Sequence, residues 1–367
     1  MLFLTNDKLA TMFQSNNTNK PSVKIGHRIV PLTEYIKTKE KITKADIKLL
    51  FQYIQNRNEY LTRFYETSLK VPESLAITDA PMKNKHMNNN ALVKYKNVIR
   101  NMFYREILKD TKSGIDNNPT FFDVLEDLYI HNIIDYKILT PSAIHYIKNG
   151  RLGSVFSSFY FRASIMNPYL VYSLNRSVLR GTRIFTPTLG WCSYCYGFLE
   201  CPNVTEYVGT DVITNVCKKT SEFATEYYPN KLVSIYNSPS ESLLTSPNFT
   251  DQYKNHFDVV FFSPPYYKLE MYPGRNQSTT KYKTYEEWLI GYWEKTIQLC
   301  NLVLTPGGKL CYILSGYGTN NEFDLLNDMN KITKKYFKLK SQQPMFNKNV
   351  NVTEHRDTGE TIMIFVK

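Results

Sequence analysis

Long apolar runs are missing from this chain. None approaches the roughly 18 residues that a membrane-spanning helix needs, so a helical span is not expected and no membrane partner is implied. The start, MLFLTNDKLATMFQ, has no basic n-region and no adequate apolar core, which argues against a signal peptide. Cysteine is scarce, at six in 367 residues, so a disulfide framework is not expected and a reducing, intracellular and soluble setting follows. The single C-x-x-C, Cys192 and Cys195, has no second pair, and the six histidines show no ligand spacing; no metal site is expected. Acidic residues are also short, with 33 Asp and Glu against 45 Lys and Arg, a formal charge of +12. That excess suits an anionic partner such as nucleic acid, or simply a solvated lysine-rich surface. What is abundant is tyrosine: the 28 present can serve as core or as platforms for stacked bases.

Two textures divide the chain. Residues 1–30 read as polar and loose. Helical periodicity begins at Thr43, a cap, with Ile47, Leu50, Phe51 and Ile54 on one face. Residues 66–90 read as loop, ending in KNKHMNNN, and further helices are expected at 91–108, 119–133 and 141–149. Residues 1–150 thus form an α-rich N-terminal region, suited to nucleic-acid or protein-partner binding, and 151–367 a second domain. There, short apolar strands at 183–185, 206–210, 231–236, 257–262, 308–314 and 361–366 alternate with helices at 212–227, 285–303 and 321–335. Such alternation predicts an α/β fold, a mostly parallel sheet covered on both faces, with ligands outside the carboxyl ends of its strands.

Three stretches at those ends carry chemistry. FTPTLGWCSYCYGF (185–198) supplies Gly190 and Gly197, where backbone can approach a ligand closely. Asp211 follows about 20 positions later at a strand end, the distance at which a carboxylate meets ribose hydroxyls; the flanking pattern favours that role over the alternative, a cap on the next helix. FDVVFFSPPYY then runs a buried strand into a rigid corner at Ser263, Pro264, Pro265 and Tyr266. The Ser263 side chain and the Pro264 carbonyl can accept from an exocyclic amine while Tyr266 stacks on a flat ring. Two acceptors off the ring plane localise a lone pair that the ring otherwise delocalises. A methyl donor aligned for in-line displacement would complete the reaction by proximity.

From SPPYYKLEMY through QS (277–278), YKTYEEW (282–288) and LTPGG (304–308), the sequence resembles the S-adenosylmethionine-dependent amino-methyltransferases of DNA, the phage- and virus-type modification methylases with an SPPY motif. NPYLVYSL, beginning Asn167-Pro168, and GWCSYCYG extend the resemblance, which covers about residues 155–330. It implies a Rossmann-like class I methyltransferase sheet, S-adenosylmethionine as cofactor, and transfer to cytosine N4 or adenine N6. By resemblance, Ser263, Pro264, Pro265 and Tyr266 form the catalytic turn. Asp211 holds the cofactor ribose, Pro187, Gly190 and Trp191 pass near its methionine part with Asn167, and Ser240 or Glu241 meets its adenine. Nucleic acid is the implied partner, DNA ahead of RNA, in the cytoplasm or nucleus of a host cell or with a virus. The sequence departs from the pattern at Thr186-Pro187, where the family has Asp-Pro, at Cys192, a glycine there, and at Tyr194, an arginine there. It lacks the Pro-Cys pair of carbon-5 cytosine enzymes. Two other readings stay open: a methyltransferase-fold scaffold without catalysis, and a small-molecule methyltransferase.

Overall fold

The computed structural model describes residues 2–39, 42–115, 118–315, 323–347 and 356–367. Two compact units divide the chain: residues 3–70 with 104–163, and residues 71–103 with 164–367. The division expected at 150 is therefore not where compactness changes, and the stretch 71–103 belongs with the second unit. Long-range contacts anchor it, beside the helix Lys94–Met102, which lies within the one expected at 91–108. The Met82 N–H donates to Ser173 Oγ at 3.0 Å, the Tyr196 hydroxyl to the Leu75 carbonyl at 2.5 Å, and Tyr95 stacks on Tyr169 at 6.1 Å between centroids.

The first unit has helices at Asn6–Met12, Lys44–Gln55, Arg57–Phe64, Phe121–Tyr129, Pro141–Lys148 and Leu152–Phe159. Thr43 caps as expected, in a reciprocal box with Asp46. Residues 2–30 are not loose throughout. Thr5 caps the first helix, and Ser22–Ile25 pairs with Arg28–Pro31 and Ile133–Asp135 in a small sheet. Strands of three or four residues are too short to print a period. The core is aromatic, with Phe13 edge-on to Phe122 and Tyr60 against Phe156.

The second unit is an α/β, Rossmann-like layer. Its strands are β1 (Arg183–Thr186), β2 (Glu206–Asp211), β3 (Leu232–Asn237), β4 (Phe257–Phe262), β5 (Leu304–Ser315), β6 (Lys338–Asn347) and β7 (Arg356–Val366). They lie in the order β6-β7-β5-β4-β1-β2-β3, parallel except for β7, which runs antiparallel to both its neighbours. β4 and β1 are central and buried, which is why they read as near-continuous apolar runs. β6 went unforeseen because KLKSQQPMFN is polar and contains Pro344, a composition an edge strand tolerates. The helix expected at 285–303 is there, but widens to a π-type turn at Leu289–Glu294. The helix expected at 321–335 is Leu325–Thr333, and residues 321 and 322 lie outside the described residues. Chain order reverses between β1 and β4, and the crevice at their carboxyl ends is where such sheets take ligands. No helix among the described residues is long and apolar enough to cross a membrane.

Candidate active site

A cavity of about 340 Å³ opens at that crevice. Ten of the eleven residues singled out in the sequence line it: Pro187, Gly190 and Trp191 after β1, Asp211 ending β2, Ser240 and Glu241 after β3, and Ser263 to Tyr266 after β4. Asn167 does not. Its amide donates to the carbonyls of Ala91 and Asn89, its Oδ1 accepts from the Tyr169 N–H at 3.0 Å, and it is fully buried. Asn167 therefore fastens the 89–91 segment and caps a helix; the residue that reaches the cavity is its partner, Asn89.

The corner after β4 is held at three points. Ser263 Oγ donates to the Ile313 carbonyl at 3.1 Å, which directs its proton away and leaves its oxygen as an acceptor. The Tyr266 hydroxyl accepts from the Ser315 N–H at 2.7 Å, fixing the ring at the cavity wall. Burial raises the Tyr266 phenol above its ordinary range, so it stays neutral. The third point is Tyr194. Its hydroxyl accepts from the Ser263 N–H at 3.0 Å and lies 3.3 Å from the Ser263 carbonyl, to which it donates.

Tyr194 also explains the altered glycine loop. Gly190, Trp191 and Cys192 all adopt left-handed backbone, with φ of 51°, 58° and 69°. Each non-glycine residue there costs roughly 1 kcal/mol. The loop is held nonetheless: Leu189 N–H donates to Asp211 Oδ2 at 3.1 Å, and Trp191 Nε1 donates to the Ser164 carbonyl at 3.0 Å. The Tyr194 ring covers Gly190 so closely that a Cβ there would sit 2.3 Å from it. One side chain thus joins the β1 loop to the β4 corner. Tyr194→Phe removes both bonds to Ser263 and should cost about 1–3 kcal/mol of stability, read by chemical denaturation. An unchanged unfolding midpoint would mean that the hydroxyl is not the fastening.

Asp211 accepts from the N–H groups of Leu189 and Ile213, and burial raises its carboxyl above the ordinary range. The cap reading does not hold: the next helix, Thr214–Tyr227, has Ile213 at its N-cap and no side-chain cap bond, while the Asp211 carboxylate bonds loop backbone and lines the cavity. Ser240 Oγ is 2.8 Å from Thr296 Oγ1, and Glu241 pairs with Lys281 at 3.1 Å. Lys281 is committed to that ion pair, and Lys283 Nζ donates to the Thr280 carbonyl. Glu287 completes a capping box with Thr284, as a helix-start carboxylate should.

Several lining residues were not foreseen. Glu270 accepts from both the N–H and the hydroxyl of Ser164, at 2.9 and 2.8 Å, and from Tyr272. Both acid and phenol were legible in the motif LEMY, whose meaning was taken only as a family mark. Tyr292 sits on the π-type turn, 3% exposed, with no partner for its hydroxyl. Glu360 comes from β7 opposite Ser315, on a strand with no motif, and burial raises its carboxyl. Among the described residues no cluster of His, Cys, Asp or Glu is placed to hold a metal. Cys192 and Cys195 are buried thiols inside the loop, and burial pushes Cys195 up.

No family model and no curated protein matches the chain. Solved structures that overlap it include TrmN from Thermus thermophilus, at 13% identity over 55% of this chain and 49% of that one, TM-score 0.35. The N-methyltransferase NodS from Bradyrhizobium japonicum WM9, solved with S-adenosyl-L-homocysteine, overlaps at 10% identity over 54% and 82%, TM-score 0.35. The putative methylase HI0767 from Haemophilus influenzae does so at 13% identity over 57% and 93%, TM-score 0.34. The chain spans about half the length of TrmN. Likenesses this distant decide no chemistry, which rests on the chain's own strand order and cavity.

Proposed function

We propose that this chain is an S-adenosylmethionine-dependent methyltransferase acting on the exocyclic amino group of a base in DNA, cytosine N4 or adenine N6. The observation that carries the reading is the Ser263–Tyr266 corner and Asp211 opening into one cavity: an amine acceptor beside a ribose acceptor. The residues fit the cofactor. Asp211 suits its ribose hydroxyls and Gly190 and Trp191 its amino-acid end. The orphaned Tyr292 hydroxyl offers a buried hydrogen-bond partner that the protein itself leaves unused.

The cofactor supplies an electrophilic methyl group on a sulfonium. The chain's work is at the amine. Ser263 Oγ, its proton turned to Ile313, and the Pro264 carbonyl accept the two N–H bonds and draw the nitrogen towards tetrahedral geometry. Tyr266 holds the ring plane. The nitrogen lone pair would form the new C–N bond while the C–S bonding pair stays on sulfur, and the nitrogen would shed one proton to solvent. A duplex substrate has to be flipped, since the amine is inaccessible in the stack. The charge of +12 supports a polyanionic partner.

The test is calorimetry with S-adenosylmethionine, then mass spectrometry of nucleosides from DNA and RNA incubated with methyl-labelled cofactor. N4-methylcytosine or N6-methyladenine from DNA is expected. Label confined to RNA nucleosides would move the substrate class. A well-folded sample that binds no cofactor would replace the enzyme with a scaffold.

A further inference from the structure

A second cleft lies wholly within the first unit, between the start of the Arg57–Phe64 helix and the end of the Phe121–Tyr129 helix, with a volume of about 540 Å³. That is ample for a nucleotide. Its lining is rich in amides, Asn17, Gln55, Asn56, Asn58 and Asn132, with Arg57 and Glu59 as its charged side chains. Tyr129 also lines it, is 8% exposed, and carries a hydroxyl with no hydrogen-bond partner. The phenol is held by rings, Phe13 at 6.5 Å and Tyr60 at 6.4 Å between centroids, so it cannot readily swing to water. Arg57 is pre-oriented: Nη1 donates to the Phe13 carbonyl at 3.0 Å and Nε to Asn58 Oδ1 at 3.3 Å.

We propose that this cleft binds one unstacked nucleotide of the nucleic-acid substrate, a site separate from the methylated base. The reading rests on the proposed function for the identity of the polymer. Side-chain amides carry a donor beside an acceptor, the complement of a base edge. A cation at the rim suits the adjoining phosphate. A buried hydroxyl with no partner costs free energy, and a ligand that bonds it recovers that cost. Only 11 residues, 267 to 277, separate the catalytic corner from the next helix at Ser278, so a large reading insertion is not available there. Reading has to be done elsewhere.

The probe is a fluorescein-labelled single-stranded DNA 15-mer, titrated against the full chain by anisotropy at fixed salt. Asn58→Ala and Tyr129→Phe should each weaken binding about five- to tenfold. Their S-adenosylmethionine affinity by calorimetry should stay unchanged. Tyr129→Phe should leave the melting temperature of the free protein unchanged or higher, because an orphan hydroxyl is removed. Ultraviolet crosslinking should place the oligonucleotide on peptides spanning residues 54–59 or 128–132. Unchanged DNA affinity in both variants, or a fall in melting temperature for Tyr129→Phe, would overturn the site. If the wild type binds no S-adenosylmethionine while the cleft variants still lose DNA, the methyltransferase reading fails and this one stands.

Discussion

Ser263→Ala should lower kcat by about a hundredfold while leaving S-adenosylmethionine affinity unchanged. The magnitude is that of removing one preorganised polar group aimed at a reacting centre. The substitution removes one of the three points that hold the corner, the Ser263 Oγ bond to Ile313, and keeps those made through the Tyr194 and Tyr266 hydroxyls. What disappears is an oxygen whose own proton is committed to Ile313, on a residue that lines the cavity. Ser263→Asn restores an acceptor at the same position and should recover much of the loss, since an amide oxygen can take the same N–H. Single-turnover methylation of DNA, with cofactor binding measured separately, checks both variants. An alanine variant as active as the wild type would remove Ser263 from the chemistry and leave the corner a structural turn.

The parts of this site that the sequence announced are those in which one local rule acts. β4 is a buried strand because FDVVFF is apolar on both faces, and the corner follows because two prolines cannot continue a ladder. Asp211 was readable because β2 stops where its carboxylate is needed. What could not be read is what depends on contacts between distant segments. Asn89 lies in a polar run that looked like loop, and it reaches the cavity only because Asn167 binds it from 78 residues away. Tyr194 looked like a defect in the glycine loop. The structure shows it as the tie between that loop and Ser263, a role that needs β1 and β4 to be neighbours. Glu360 enters from β7, which lies beside β5 only by a late antiparallel return. Residues 71–103 were grouped with the first 150 because the contacts that tie them to the second unit are long-range, although their helix at Lys94–Met102 falls within the one expected at 91–108.

Asp211→Asn should raise the dissociation constant for S-adenosylmethionine about a hundredfold, the loss expected when charge-assisted bonds to two ribose hydroxyls become weak neutral ones. The free protein should be little affected. Burial raises the Asp211 carboxyl, so in the cofactor-free protein its ionisation opposes folding. The sign follows from proton counting. Between the ordinary carboxylate range and the raised folded value, the unfolded chain holds fewer protons, so this group's contribution to stability falls as pH rises through that window. Asparagine, fixed as neutral, removes that loss. It also turns an NH₂ towards one of the two backbone donors, Leu189 or Ile213, and the two effects oppose. Cofactor binding runs the other way with pH. The ribose hydroxyls need the ionised carboxylate, so wild-type affinity should hold at alkaline pH and decline as pH falls through the raised value, earlier than for an ordinary aspartate. Calorimetry from pH 5 to 8 on both proteins checks the slope, and thermal shift checks its consequence. At cofactor a hundred times the wild-type dissociation constant, mass action stabilises the wild type by about 2.7 kcal/mol, and most of that should vanish in the variant. Equal affinities, or a wild-type affinity flat across that range, would separate Asp211 from the ribose and leave it as the fastening of the Leu189 and Ile213 backbone.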